Sequence, residues 1–418
     1  MATQVFSYDF SGPGIRAILA DGDDIWVSRT GLLVSTNEYT AINGLGSNHI
    51  VHIEGAVSGY DGVVLGDNAT LNSGNSVVIT RTGVVYGTNF GVMQWGPLAR
   101  LDNFGLINGG VFFSGWGPGM SRIDNAGDII SNVYAAVQHW GDETLSLNNT
   151  GTIRSGAEAF LSFRATAIDL IRNKGEMIGD ILLGGGDDRY DGRGGFIDGT
   201  VFGEDGNDTF RPGGGIELFD GGLGADTLDF RSTAGVKVYL DGSGPNTGTA
   251  AGDDYLGIEN VQGSLRGADT LVGDAANNVL RGYGGADMLS GGNGLDRFIG
   301  GAGIDRLIGG LGDDRFVFEK PGDGGDVIKD FAAVVGNDDR FYFEAAGFGG
   351  GLVPGALAAG QFRTRADNLA QDGDDRVIFR TTDQTLWFDV NGNLAGGLTL
   401  VADLQASAVV TAADIFLF

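Results

Sequence analysis

Apolar residues recur along this chain with two different periods. Between Asp269 and Asp314 the unit is nine residues long, and its eighth position is always apolar: Leu271, Leu280, Leu289, Phe298, Leu307 and Phe316. The sixth position of the same units is acidic or amide: Asp269, Asn278, Asp287, Asp296, Asp305 and Asp314. Residues two apart on a strand share a face, so one short strand presents both a polar group and a core contact. Two units make one turn of a flattened spiral, and residues 18 apart then stack at a strand spacing of roughly 4.8 Å. Asp269 is expected beside Asp287, Asp287 beside Asp305, Asn278 beside Asp296, and Asp296 beside Asp314. The upstream pair Asp208 and Asp226 has the same separation.

The N-terminal half follows a longer period. Asn-x-Gly-x-apolar recurs with Asn103, Asn125, Asn149 and Asn173, and with Gly105, Gly127, Gly151 and Gly175. Weaker copies place glycines at 31, 55 and 83, giving steps of 24, 28, 22, 22, 24 and 24 residues. Short β-type runs at that period predict one coil of a parallel β-helix each, with Val, Ile and Leu inside. The 28-residue step predicts a loop insertion near Asp61 to Asn75. Buried Asn amides at equivalent positions can hydrogen-bond neighbouring coils. The segment before Gly31 is expected to cap one end.

The nine-residue unit carries its own chemistry. Its fullest copies read GGNGLDRFI from Gly291, GGAGIDRLI from Gly300 and GGLGADTLD from Gly221. Gly-rich turns expose backbone carbonyls, and a carboxylate closes each turn, which is the hard-oxygen donor set of calcium. Stacked carboxylates repel unless a cation lies between them. The fixed period separates this segment from a disordered Gly-rich linker, although without calcium such short strands bury too little to offset chain entropy.

Composition narrows the function classes. A net charge of −28 argues against nucleic-acid binding, which uses a basic surface. Cysteine is absent, so disulfides and thiolate metal sites are excluded. No apolar run reaches membrane-spanning length. The start, MATQVFSYDFSGPG, has neither the basic nor the apolar region of a Sec-type signal peptide.

Catalytic signatures are sparse. His49, His52 and His139 are the three histidines, and His49 and His52 fall on opposite faces of one predicted strand. There is no HExxH helix and no GxSxG elbow. His139, with Trp140, Asp142 and Glu143 beside it, is the best acid/base candidate, set against an ordinary polar turn. Arg100 and Arg122 with Asp102 and Asp124, in RLDN and RIDN, read as repeated coil architecture. Trp95, Trp116 and Trp140 lie 12, 11 and 13 residues after their coil glycines, with Phe163 12 after Gly151. They form either a glycan-binding strip or an aromatic stack at a coil corner.

From about Gly184 to Phe418 the chain resembles bacterial RTX (repeats-in-toxin) proteins exported by type I secretion. The resemblance rests on the GGxGxDxUx copies, a spacer from Ser232 to Ser264, GDVIKDF from Gly325 to Phe331, and a terminal ADIFLF similar to an uncleaved C-terminal secretion signal. It implies several Ca²⁺ ions held by Asp208, Asp226, Asp269, Asp287, Asp296, Asp305 and Asp314. Turn carbonyls would come from Gly221, Gly224, Gly282, Gly285, Gly291, Asn293, Gly294, Gly300, Ala302, Gly303, Gly309, Leu311 and Gly312. Asn278 and the Ile216-Glu217 pair depart from the pattern. Asp188 precedes Asp208 by 20 residues, which leaves its pairing open. The resemblance also implies a partner in the type I secretion machinery and a secreted or cell-surface location, where calcium drives folding.

The resulting expectation is an all-β protein. A right-handed parallel β-helix over 1–180 continues into a calcium-binding parallel β-roll over 181–330, with the spacer near 231–263. A β-rich secretion module fills 331–418. Three functions compete: a secreted, non-enzymatic calcium-binding protein at a cell surface or in a matrix; a polysaccharide lyase or epimerase acting on the β-helix face; and a glycan-binding adhesin using the tryptophan strip.

Overall fold

A computed structural model describes residues 2–67, 73–164, 166–231, 234–334 and 336–418. The insertion expected between Asp61 and Asn75 includes residues 68–72, which lie outside that set, as does Ser232 at the start of the spacer. Half of the structure is strand and 4% is helix, so the chain is all-β with long parallel sheets. It divides into two units, Met1–Asp226 with Asp253–Gly257, and Thr227–Gly252 with Ile258–Phe418.

The first unit is a stack of three-sided coils. Arg100–Asn103, Leu106–Asn108 and Val111–Ser114 form one coil, and Met120–Asn125, Asp128–Ser131 and Val137–His139 form the next. All three sides pair in parallel with matched inward residues: Leu101 with Ile123, Ile107 with Ile129, and Val111 with Val137. Alternation drives this, because the aliphatic residues point inward and the Arg and Asp beside them point out. The motif glycines are required by approach distance. A Cβ on Gly127 would lie 2.1 Å from the carbonyl oxygen of Gly105 in the coil before.

The predicted amide ladder is present. Asn103 Nδ2 donates to Asn125 Oδ1 (2.7 Å), Asn125 to Asn149 (2.8 Å) and Asn149 to Asn173 (2.9 Å). Each Nδ2 also reaches a backbone carbonyl: Asp128, Thr152, Glu176 and Phe196 in turn. All four asparagines are buried.

The second unit is a two-sided roll. One side carries Val279–Gly284, Arg297–Ala302, Arg315–Phe318, Arg340–Phe343 and Ile415–Leu417. The other carries Lys237–Tyr239, Thr270–Val272, Met288–Asn293, Arg306–Leu311, Asp326–Ile328 and Leu398–Leu404. The position-eight residues Leu271, Leu280, Leu289, Phe298, Leu307 and Phe316 are all buried, as their period predicts. The spacer supplies structure as well, since its Lys237–Tyr239 strand pairs with Thr270–Val272. Phe316, Phe331, Phe341 and Phe343 close the roll with rings 4.7 to 6.3 Å apart. Beyond them, Val377–Arg380, Thr385–Asp389 and Leu398–Leu404 form an antiparallel meander.

Candidate metal centre

The acidic residues stack in columns, and one oxygen of each carboxylate holds the column together. Asp287 Oδ1 accepts from the backbone N–H of Asp269 (2.8 Å), and Asp305 Oδ1 from that of Asp287 (2.8 Å). In the neighbouring column Asp296 accepts from Asn278 (2.8 Å) and Asp314 from Asp296 (2.9 Å). In the first unit Asp226 accepts from Asp208 (2.7 Å). Every predicted neighbour pair is therefore adjacent.

The second oxygen is different. Oδ2 of Asp208, Asp287, Asp296, Asp305 and Asp314 is buried and meets no hydrogen-bond donor among the described residues. It points into the space over the first glycine of its unit. A Cβ on Gly282 would lie 2.2 Å from Asp287 Oδ2 and 2.7 Å from the carbonyl oxygen of Gly300, one coil on. Gly203 has the same surroundings, with Asp208 Oδ2 at 2.2 Å and the Gly221 carbonyl at 2.4 Å. Gly221, Gly291, Gly300 and Gly309 face Asp226, Asp296, Asp305 and Asp314 likewise. A donorless carboxylate oxygen and a backbone carbonyl thus converge on a glycine-lined space, which fits a hard cation that takes carboxylate and carbonyl oxygens. Among the described residues no three His, Asp or Glu side chains converge on one point, so carbonyls must complete the donor set.

The fourth-position glycines Gly224, Gly285, Gly294, Gly303 and Gly312 all have positive φ, between 129° and 149°. A Cβ on Gly303 would lie 1.6 Å from the Gly285 carbonyl oxygen, so these turns admit no side chain. Asn293, Ala302 and Leu311 occupy the turn between the two glycines and are exposed.

The electrostatics follow from this burial. Desolvation is the largest influence on each carboxyl and raises it far above the ordinary carboxylate range. Asp208, Asp296 and Asp305 are pushed up to about 6, and Asp287 and Asp314 to about 7. The backbone N–H donated to each one only partly offsets the desolvation.

Two predicted positions differ from the rest. Asp269 Oδ2 already accepts from the Ser264 N–H (2.7 Å) and hydroxyl (3.1 Å). Asn278 Oδ1 accepts from the Asp274 N–H (2.8 Å), and its Nδ2 donates to the Glu259 carbonyl (3.3 Å).

Other members were missed. Asp188 joins the Asp208 column across its 20-residue step, donating its N–H to Asp208 Oδ1 (2.8 Å), and its own Oδ2 lacks a donor. Asp326 and Asp339 end the two roll columns, accepting from Asp305 (2.9 Å) and Asp314 (3.0 Å). The signal was available as an Asp followed two residues later by a buried Tyr190, Ile328 or Phe341.

Residues 198–228, 265–298 and 290–319 match the family model described as the RTX calcium-binding nonapeptide repeat (4 copies). The chain carries RTX calcium-binding nonapeptide repeats. Calcium is accordingly its metal, and the RTX match covers the segments in which Asp208, Asp287, Asp296, Asp305 and Asp314 lie. No curated protein matches the chain.

The catalytic candidate does not form an accessible site. His139, Glu143 and Asp169 are all fully buried, with His139 Nδ1 2.8 Å from Asp169 Oδ1 and Nε2 3.9 Å from Glu143. Burial lowers the His139 pKa, but the two carboxylates outweigh it and the net shift is upward. The group is an internal ion cluster that no polymer can touch. His49 is buried between the carbonyls of Asp23 and Leu45, whereas His52 faces outward beside Glu54, as strand alternation requires.

The tryptophan strip needs a correction. Trp95, Phe112, Trp140 and Phe163 form the ladder, with ring centroids 4.9, 5.8 and 4.5 Å apart. Trp116 stands outside it, under the Arg164 guanidinium at 4.3 Å. The cause is corner length. Val92–Trp95 pairs with Val111–Ser114, so Ser114 falls on the tryptophan rung. The corner before Val111 has two residues, against four before Val92. Counting from the glycine therefore overshoots the rung. The ladder, with Phe90 and Tyr134, lines an apolar groove of about 530 Å³ whose polar rim includes Gln138 and Glu158.

Proposed function

We propose that this protein is exported unfolded and folds outside the cell when calcium fills its carboxylate columns, and that it acts at a cell surface or in a matrix. Asp208, Asp226, Asp287, Asp296, Asp305 and Asp314 each give a carboxylate oxygen, joined by carbonyls of the stacked glycines. Calcium, when bound, supplies the positive charge that lets these buried groups ionise together. The observation that carries the reading is the donorless Oδ2 over a glycine, joined at Asp208 and Asp287 by a glycine carbonyl of the next coil. Asp269 is a weaker ligand in this account because Ser264 already occupies it. Export through a type I machine fits the position of the C-terminal strand. Ile415–Leu417 is paired inside the roll, so a signal there is legible only before folding. Circular dichroism of the full chain with calcium and with chelator tests the proposal. Large loss of β signal on chelation is expected, and superimposable spectra overturn it.

A second reading concerns the aromatic groove. The exposed rings of Tyr134, Trp140 and Phe163, with a few amide and carboxyl groups, suit the apolar faces of sugars, so the groove is read as a glycan subsite that accompanies the calcium function. Trp140→Ala should abolish binding of neutral oligosaccharides while leaving the β signal intact. Collapse of the fold in that variant, or unchanged binding, removes the reading.

A further inference from the structure

On one side of the roll the outward positions form an arginine column. Arg297 pairs in register with Arg315, and Arg315 with Arg340, on successive parallel strands. Each precedes a buried phenylalanine, Phe298, Phe316 or Phe341, so alternation puts the arginine on the outer face. Arg281 joins them from the strand before, two residues after Val279, the partner of Arg297. Adjacent rungs are roughly 4.8 Å apart. Like charges are therefore stacked as closely here as in the carboxylate columns, with the opposite sign.

The counter-charges can be assigned arginine by arginine. Arg281 has Glu319 at 2.5 Å, and Arg340 has Asp338 at 2.8 Å. Among the described residues, Arg297 and Arg315 form no ion pair and donate no side-chain hydrogen bond. Arg315 lies over the Tyr342 ring, 5.6 Å from its centroid, a contact that leaves the guanidinium N–H edge free. Arg315 is exposed, whereas Arg297 is half-buried. Burial is the largest influence on Arg297 and lowers its pKa. Arg281 and Arg315 lower it further, and Glu319 offsets only part of this. A half-buried cation among cations lacks a counter-ion. Two guanidinium forks on adjacent rungs are thus left over.

We infer that Arg297 and Arg315 together bind the phosphate group of a phosphate monoester. Such a group carries about −1.5 to −2 charges at pH 7 and three acceptor oxygens, which matches two neighbouring forks in both charge and donor count. A carboxylate brings one charge and two oxygens, and a single fork uses it up. Long polyanions fit poorly. Beyond these rungs they would lie along a chain of net charge −28. Phosphate monoesters occur both as small soluble esters and as phosphatidate headgroups, and the test separates the two sources. The inference is independent of the aromatic groove, which belongs to the coil stack.

The test is a titration of the full, calcium-loaded chain, freed of excess calcium, with glucose 1-phosphate, followed by phosphorus NMR. Binding should saturate and weaken as salt rises. Arg315→Ala and Arg297→Gln should each weaken it by about 10- to 100-fold, the size of one or two lost charge-assisted hydrogen bonds. Arg306→Ala, exposed on the opposite side of the roll, should change it less than about twofold. Circular dichroism checks that each variant folds, and the exposed Arg315 carries the test if Arg297→Gln does not. Cosedimentation with phosphatidylcholine vesicles, with and without phosphatidate, identifies the source. Retention on phosphatidate that is lost in Arg315→Ala supports the site with a lipid ligand. Binding of glucose 1-phosphate without retention supports it with a soluble one. The inference is overturned if neither phosphate source binds, or if acetate or glucose binds as tightly as glucose 1-phosphate. It is also overturned if folded Arg315→Ala binds like the parent, which would assign the phosphate to the calcium columns. An equal loss in Arg306→Ala overturns it too, since the effect would then be general surface charge.

Discussion

The amide ladder of the coil stack and the carboxylate columns solve one problem with different side chains. Each aligns a polar residue at a corner on every rung. An amide carries both donor and acceptor, so Asn103, Asn125, Asn149 and Asn173 satisfy one another and the backbone without help. A carboxylate only accepts. Asp287, Asp296, Asp305 and Asp314 satisfy one oxygen from the backbone and leave the other without a donor over a glycine. The cores differ in the same sense. Residues 101–122 bury Leu101, Ile107, Val111, Phe112 and Phe113, whereas 279–296 bury only Leu280 and Leu289 among their apolar side chains. Per residue the second arrangement thus buries about half as many apolar side chains, the term that must offset backbone entropy. One design closes on itself, and the other is completed by a metal.

The largest expected effect of that contrast is on chelation. Limited proteolysis of the chelated full chain should cut within 282–316 well before it cuts within 101–173. Simultaneous loss of both segments would erase the distinction.

Next in size is Asn125→Asp, which puts an acceptor-only group into the amide ladder and strands its neighbours. It should destabilise the coil stack by about 3 kcal/mol in thermal unfolding, equally with and without calcium. Rescue by calcium would show that the two ladders are interchangeable. Asp305→Asn is the reciprocal change, and should lower the calcium stoichiometry by at least one ion in a direct titration.

Acidity separates the two states of the roll. Asp287 and Asp314 at about 7, and Asp208, Asp296 and Asp305 at about 6, lie above the ordinary value of 3.8. The metal-free fold thus holds protons that the unfolded chain has lost. Its stability from these groups is complete below about pH 4 and disappears as pH rises through 6 to 7. Calcium must displace those protons, so calcium affinity should fall as pH drops through the same window. Thermal melts from pH 4 to 8, with and without calcium, should slope in opposite directions. The smallest change is Asn278→Asp, which removes the donor Nδ2 and should add one calcium ion to its column.

How much of this was legible depended on constant coil length. Where the step stayed at nine or 18 residues, Asp269 to Asp314 and Leu271 to Phe316 fell where the period put them. Where a corner changed length, counting failed. Asp326 and Asp339 follow their neighbours by 21 and 25 residues, and Trp116 lost its rung to Ser114 through a two-residue corner. Spacing along the chain reports stacking only if every turn spends the same number of residues.

The columns also have a polarity. In every rung the amide belongs to the earlier coil and the accepting carboxylate to the later one, from Asp188 with Asp208 down to Asp314 with Asp339. A nascent chain made from its N-terminus therefore always lacks the group that pins its newest turn. Pinning therefore trails the growing end by one coil, and the newest turn is always the slack one.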